Sequence, residues 1–254
     1  MRITVICVCI MLCHPAKGTS LQNPPNTKQQ SAPQQKTETF WHKVLRVSGI
    51  GASPSTLKGP GNEVVHGQIW IAEIGTGRVR KLTSTGGFCS PVFMQGGNDI
   101  LALKDAKVIR VSLSDGRVTS LYPAAGIIKL VGLNIDDPDK VLVIARSSSS
   151  LPDVAFLSVS SGKLESLSYN RSSDDDRQMV EHLSAWDRDY GGTSVYTDHQ
   201  TKSGMSGTLS WTDVFLRSGS DAPIDVSNCD GVNCGQPSLS PEGRLVAYVR
   251  ADEE

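Results

Sequence analysis

The sequence predicts an all-β protein, a β-propeller of four-stranded antiparallel blades, and three observations lead to that prediction. One hairpin pattern occurs three times, as GQIWIAEIGTGRVRKLTS at 67–84, AKVIRVSLSDGRVTSLYP at 106–123 and PDVAFLSVSSGKLESLSY at 152–169. Two further apolar runs stand before the second hairpin and two before the third. Almost no amphipathic helical pattern occurs between them.

The three hairpins align on a turn glycine, at Gly77, Gly116 and Gly162, which lie 39 and 46 residues apart. Glycine is expected there because tight hairpin turns need a positive φ. Aliphatic residues agree at four further positions of each copy, including eight residues before and five after the glycine. A strand pattern that repeats every 40 to 50 residues, roughly, is typical of propeller blades.

A fourth unit is predicted from VEHLSAW, TSVYTD, TDVFLRS and APIDVS, with HQTKSGMSGTLSW as a polar insertion at 199–211. A fifth begins with QPSLSPEG and RLVAYVR. Two alternatives follow. Residues 67–83 could pair with 236–250 and close a ring of four to five blades. Otherwise the chain is a truncated six- or seven-bladed ring, which its ending at RADEE favours, and its open edge strands would allow self-association.

The N-terminal residues predict export. Residues 1–18 are interpreted as a cleaved signal peptide, because Arg2 precedes the apolar run Ile3–Cys13 and small residues follow at Ala16 and Gly18. That run is too short to span a bilayer, which needs about 20 residues. Residues 19–38 are rich in Gln and Pro and are predicted to be a disordered tether. The propeller is assigned to 39–254 and the location to the periplasm or the exterior.

Export permits disulfides, and the sequence offers one candidate pair. Cys229 and Cys234 flank DGVN, a turn-like stretch that could bring the two sulfurs together. A zinc site would need further Cys or His nearby, so no metal is expected. Cys89 has no candidate partner in the sequence and is interpreted as a small buried apolar residue.

The segment PSLSPEGRLVAYV, and more loosely SPVFMQGGNDILAL, resembles the turn and strand of the WD40-like (PD40) repeats in TolB-type propellers. The hairpin at 67–84 resembles the next part of that repeat. Glu242, Leu239 and Gln95 depart from the usual Asp, Trp and Pro. The resemblance implies a structural role for the motif residues, which are Pro91, Gly97, Pro237, Ser240, Pro241 and Gly243 together with the three turn glycines.

No catalytic or cofactor-binding residues are expected. A serine hydrolase would show Gly-x-Ser-x-Gly, whereas Ser206 has Thr208 where the second glycine belongs. The acidic runs at 136–139 and 174–176 could hold calcium, but they lack the spacing of a calcium loop and are interpreted as solvated loop charge. A formal net charge of −1 argues against nucleic acid. Trp41 and Trp211 are candidates for a binding surface.

Three functions remain open from the sequence. The first is a non-catalytic module of the bacterial envelope that binds a protein or peptide, as the TolB resemblance implies. The second is the gating propeller of a prolyl-oligopeptidase-type serine peptidase without its hydrolase domain, which such repeats also resemble. The third is binding of a sugar or metabolite in the central channel.

Overall fold

A computed structural model of the chain describes residues 41, 43–44, 64–124, 126–148, 151–184, 188–190, 192–205 and 207–251. The predicted signal peptide at 1–18 and the predicted tether at 19–38 lie outside these residues. The chain divides into two units, Met1–Thr37 and Glu38–Glu254, and every described residue belongs to the second.

Sixteen strands, grouped as four four-stranded antiparallel blades, account for most of the described chain. Blade 1 consists of β15 (Cys234–Leu239), β16 (Leu245–Ala251), β1 (Gly67–Glu73) and β2 (Arg78–Lys81). Blade 2 consists of β3 (Phe88–Phe93), β4 (Asp99–Lys104), β5 (Lys107–Ser112) and β6 (Val118–Pro123). Blade 3 consists of β7 (Ile127–Leu133), β8 (Lys140–Ala145), β9 (Asp153–Ser158) and β10 (Leu164–Ser166). Blade 4 consists of β11 (Arg188–Asp189), β12 (Thr193–Gly204), β13 (Gly207–Ser218) and β14 (Ile224–Asp225).

Blade 1 joins the two ends of the described chain. β1 pairs with β16 along its whole length, from Gly67 opposite Ala251 to Glu73 opposite Leu245. This is the pairing that the closed-ring alternative predicts. The open edges expected of a truncated ring are not found at β1 and β16, because each strand satisfies the edge of the other, and truncation itself stays a prediction. A single residue pair, Gly67 with Phe88, also links blade 1 to blade 2.

Burial follows the position of each strand in its blade. The first strands of blades 1 and 2, β15 and β3, are buried at every residue. The fourth strand of blade 1, β2, is exposed at every residue, and the fourth strands of the other blades are mostly exposed. The sequence pattern reflects this order, because β3 and β15 each begin and end with an apolar residue whereas β2 reads RVRK.

One backbone hydrogen bond recurs in all four blades and defines the repeat. The residue that follows the third strand donates its N–H to a carbonyl in the turn between the first and second strands. The four bonds are Ile74 to Arg244 at 2.8 Å, Leu113 to Asn98 at 2.9 Å, Val159 to Asp139 at 2.6 Å and Gly219 to Gly192 at 2.7 Å. The fourth blade, which lacks the glycine turn of the other three, therefore shares their geometry.

The predicted first strand of blade 4 is wrong. Residues 174–184 form a helix, α1 (Asp174–Ser184), and the inner strand of the blade is the short β11. Ser173 caps α1, with its Oγ 3.4 Å from the N–H of Asp176. Three aspartates fill the first turn, where they complement the helix dipole, so this run is not a loop. His182 belongs to α1 and not to a strand.

The insertion at 199–211 is also structured. β12 and β13 continue through it as a single hairpin that pairs from Thr193 opposite Ser218 to Gly204 opposite Gly207. Their neighbours β11 and β14 pair with only two residues each. The distal half of the hairpin therefore extends beyond the rest of blade 4.

Four apolar clusters fill the spaces around the ring. One lies between blades 1 and 2, one between blades 2 and 3, and one between blades 4 and 1. The fourth packs blade 3 against Val180 and Leu183 of α1 and against Trp41 and Val44. The helix thus covers an apolar face of blade 3 with its buried residues Val180 and Leu183.

The disulfide Cys229–Cys234 is present, and both cysteines are buried. Cys89 is a free, buried thiol, and burial raises its pKa to about 11. It is therefore protonated at neutral pH and packs as an apolar side chain between blades 2 and 3.

We predict that Gly116→Ala destabilises the protein more than Gly77→Ala does. Both glycines have a positive φ, +69° and +67°. A methyl group at Gly116 would lie 2.1 Å from the Leu82 carbonyl oxygen, whereas nothing lies within 4 Å of one at Gly77. Urea unfolding should show a loss of about 1 kcal/mol for Gly77→Ala and about 2 kcal/mol more for Gly116→Ala. Equal losses would contradict this close approach of blades 1 and 2.

We also predict that the disulfide stabilises blades 1 and 4. The bond closes a short loop, with a sequence separation of 5, so the loop-entropy relation gives about 2 kcal/mol. A reductant should lower the melting temperature of the wild type. The reductant should not change the melting temperature of a Cys229→Ala, Cys234→Ala double variant, because this variant should already melt at the lower temperature of the reduced wild type. A wild type that melts unchanged after confirmed reduction would refute this contribution.

Candidate functional site

The inner strands of the blades are bulged, and their side chains hydrogen-bond across the propeller axis. The pairing register shifts between Cys89 and Val92 in β3 and between Gly235 and Ser238 in β15. Ser90 and Gln236, inside these bulges, both have a φ of +56°. Each precedes a proline, Pro91 or Pro237. Non-glycine residues hold such a φ only where their surroundings compensate for the strain.

The compensation comes from the neighbouring blades. The Ser90 N–H donates to Gln236 Oε1 at 2.6 Å, which joins blade 2 to blade 1. The Ser90 hydroxyl donates to the Leu130 carbonyl at 3.0 Å and accepts from the Leu130 N–H at 2.8 Å, which joins blade 2 to blade 3. Gln236 Nε2 donates to the Val65 carbonyl at 2.9 Å. Three inner strands are thus held in one hydrogen-bonded series.

Lys129 continues the series from blade 3 to the helix. Its side chain is only 4% exposed, and Nζ donates to the carbonyls of Leu183 at 3.3 Å and Ser184 at 3.0 Å. These carbonyls belong to the last turn of α1, where helical hydrogen bonding ends and a cation is favourable. The buried ammonium therefore ties the helix to the axis.

A cavity of about 480 Å³ opens on the axis beside these strands, and all four blades line it. Its walls come mainly from the ends of the inner strands and from the turns that follow them. The lining residues are Val92, Phe93 and Gln95 of blade 2, Gly132, Leu133, Asn134 and Ile135 of blade 3, Tyr190 and Thr193 of blade 4, and Ser238, Leu239, Ser240, Pro241, Glu242 and Gly243 of blade 1.

The motif residues of blade 1 build one edge of this cavity. Ser240, Pro241 and Gly243 form a tight turn in which the Gly243 N–H donates to the Ser240 carbonyl at 2.8 Å. Serine first, proline second and glycine fourth are the residues that a type I turn favours. In blade 2 the Gly97 N–H donates to the Met94 carbonyl at 3.0 Å in the same way. The turn residues that the sequence singled out as structural therefore also shape the cavity.

The two tryptophans proposed as a binding surface are buried. Trp41 is 7% exposed and packs on Tyr169 with ring centroids 5.8 Å apart, so its assignment to a surface is corrected to packing. Trp211 is 9% exposed and donates from Nε1 to Asp213 Oδ2 at 2.8 Å. It also lines a second cavity, of about 210 Å³, at the other end of β15, where binding by Trp211 stays a prediction.

A ligand in a central channel was one of the three functions left open by the sequence, but the residues that line the cavity on the axis were not predicted. Its lining residues come from four segments that are far apart in the chain and carry no shared chemical pattern. The turns that recur after the inner strands are the sequence feature that could have indicated these lining residues. In the described residues, no group of three or more His, Cys, Asp or Glu side chains is placed to hold a metal ion. Asp139 of the first acidic run instead accepts hydrogen bonds from Ser158 and Ser160, which hold the pKa of its carboxyl below the usual range.

The described residues therefore form a β-propeller module with a cavity on its axis. No protein-family model matches the sequence, and no curated protein matches it. Several solved structures are similar, and two of them are named as TolB structures. One is a protein assigned as TolB from Agrobacterium tumefaciens, with 15% identity and a TM-score of 0.37 over 73% of this chain and 62% of that one. The other is TolB from Acinetobacter baumannii, with 13% identity and a TM-score of 0.35 over 73% of this chain and 49% of that one.

The chain thus spans less than two thirds of the length of each of these structures. Because both TM-scores lie below 0.5, the assignment of the fold rests on the strand pairing and on the recurring turn hydrogen bond. None of the described helices is both long and apolar enough to cross a membrane.

We predict that Ser90→Ala destabilises the propeller by about 2 kcal/mol, because it leaves the buried N–H and C=O of Leu130 without their partner. Ser114→Ala is the matched control, since Ser114 shares only an exposed bond of 2.9 Å with Ser112. It should change the free energy of unfolding by less than about 0.5 kcal/mol. Indistinguishable losses in urea unfolding would show that the axial series does not stabilise the ring.

Proposed function

We propose that this chain is an exported, non-catalytic binding module of the bacterial envelope and that it takes a protein or peptide segment at the cavity on its axis. The observation that carries the proposal is the cavity itself, of about 480 Å³ and lined by all four blades. This volume lies within the range of roughly 300 to 1,000 Å³ that is usual for ligand pockets. It has room for a few side chains of a partner.

The chemistry of the lining supports binding rather than catalysis. Val92, Phe93, Leu133 and Leu239 provide apolar walls. Among the described residues that line the cavity, there is no Cys, His, Lys, Arg or Asp, and Glu242 is the single carboxylate. An acid with a base would need at least two such groups within hydrogen-bonding reach, and no His or Lys of the described lining stands ready to activate a hydroxyl nucleophile.

Export is supported by two independent features. The sequence at 1–18 has the charged start, apolar run and small residues of a signal peptide. The disulfide Cys229–Cys234 is typical of an oxidising compartment such as the periplasm. The peptidase alternative receives no comparable support, because nothing in the described residues favours a gating role over a binding role.

The proposal is tested by photo-cross-linking in a bacterial host. p-Benzoylphenylalanine replaces Ile135, which is 55% exposed and lines the cavity, or Val118, which is 44% exposed on the outer strand β6. We expect discrete adducts of higher mass from Ile135 and none from Val118 after irradiation. Equal labelling from the two positions, in proteins that fold normally, would refute binding at the cavity.

A further inference from the structure

From the geometry of the cavity we infer the kind of segment that it selects, which is an extended peptide carrying a lysine or arginine that pairs with the Glu242 carboxylate. This inference rests on the proposed function and deepens it. It depends on three observations, which concern the turn that holds Glu242, the position of its carboxylate and the charge of the cavity.

The turn itself does not use the Glu242 side chain. Ser240 satisfies the turn, because its Oγ accepts from the N–H groups of Arg244 at 3.2 Å and Leu245 at 3.0 Å. A short acidic side chain, such as that of Asp, can also accept hydrogen bonds of this kind from the backbone of a turn. With Ser240 in that role, the carboxylate of Glu242 forms no hydrogen bond or ion pair with any of the described residues. Its charge is therefore available to a ligand.

The exposed side chain of Glu242 places its carboxylate over Gly97 of blade 2. A Cβ added at Gly97 would lie 3.1 Å from Glu242 Oε2 and 3.3 Å from Oε1. The Glu242 side chain thus reaches from the turn of blade 1 over the turn of blade 2, and Gly97 leaves room for it. Both turns stand at the cavity, so the negative charge lies where a ligand would enter.

The lining does not balance this charge. No Lys, Arg or His occurs among the described residues that line the cavity, and no described cation lies within ion-pair distance of Glu242. A charge of one sign in a concave, partly apolar site attracts a ligand of the opposite sign and selects against the same sign. The site therefore favours a basic group over a neutral or acidic one.

The apolar walls distinguish a side chain from a small cation. Phe93 and Leu239 line the cavity next to the turns. Lysine and arginine have long methylene stems that pack on apolar surface while the charged head stays at a polar group. A basic side chain thus uses both parts of the cavity, the walls through its stem and Glu242 through its head.

The test is selection from a random heptapeptide library displayed on phage, without cysteine. The full chain is immobilised as wild type, as Glu242→Gln and as Glu181→Gln. Glu181 is the matched control, because it is an exposed glutamate on α1 and does not line the cavity. We expect Lys and Arg to be enriched among peptides selected by the wild type and by Glu181→Gln, and to lose that enrichment with Glu242→Gln.

One selected peptide is then synthesised with lysine and with acetyl-lysine, which keeps the stem and removes the charge. Acetylation or Glu242→Gln alone should weaken binding by about 2- to 5-fold, as expected for an exposed ion pair. The two changes together should weaken binding no more than either one alone, because they remove the same interaction.

The outcomes separate this inference from the proposed function. Peptides selected by the wild type without basic enrichment, or bound equally by Glu242→Gln, would overturn the role of Glu242 and leave a binding module. If the folded wild type selects no peptide above an unrelated immobilised protein, the proposed function fails as well.

Discussion

The pairing of β1 with β16 is the contact on which the rest of the structure depends. A single blade exposes two apolar faces, and only neighbouring blades can cover them. Seven residues from the start of the described chain pair with seven from its end, so blade 1 covers both blade 4 and blade 2. Without this pairing, blade 1 would be two separate hairpins with open edges, and the axis would not form.

Closure of the ring places the inner strands side by side, and their bulges make the axis polar where the blades meet. Ser90, Gln236 and Lys129 are all buried, and each bonds to a neighbouring blade or to α1 rather than to its own strand pair. The polar groups that the bulges free are thereby satisfied within the protein, and the space beyond them becomes the cavity. Stability and the candidate site therefore share the same strands.

The repeat was predictable because the blades reuse one local geometry. Gly77, Gly116 and Gly162 have φ values of +67°, +69° and +71°, which side-chain-bearing residues adopt at a cost. The pair Cys229–Cys234 was predictable from its spacing for a similar local reason. The strand predicted at VEHLSAW failed because Val180 and Leu183 suit a buried strand and a buried helix face equally. Trp41 was misplaced because its burial depends on α1 and Tyr169, far along the chain.

The sequence by itself determined the class of fold, the number of strands in each repeat and the disulfide, since turn chemistry and hydrophobic period act over a few residues. Only the tertiary structure decided between the alternatives for the terminal strands, which pair within blade 1, and showed that a helix packs beside blade 3 and that a cavity lies on the axis. These features depend on contacts between segments distant in the chain, 54 residues apart for Lys129 and Leu183 and 146 apart for Ser90 and Gln236. Glu242 shows the difference, since in the sequence it is an ordinary turn residue, and only the tertiary structure places its carboxylate over Gly97 at the cavity.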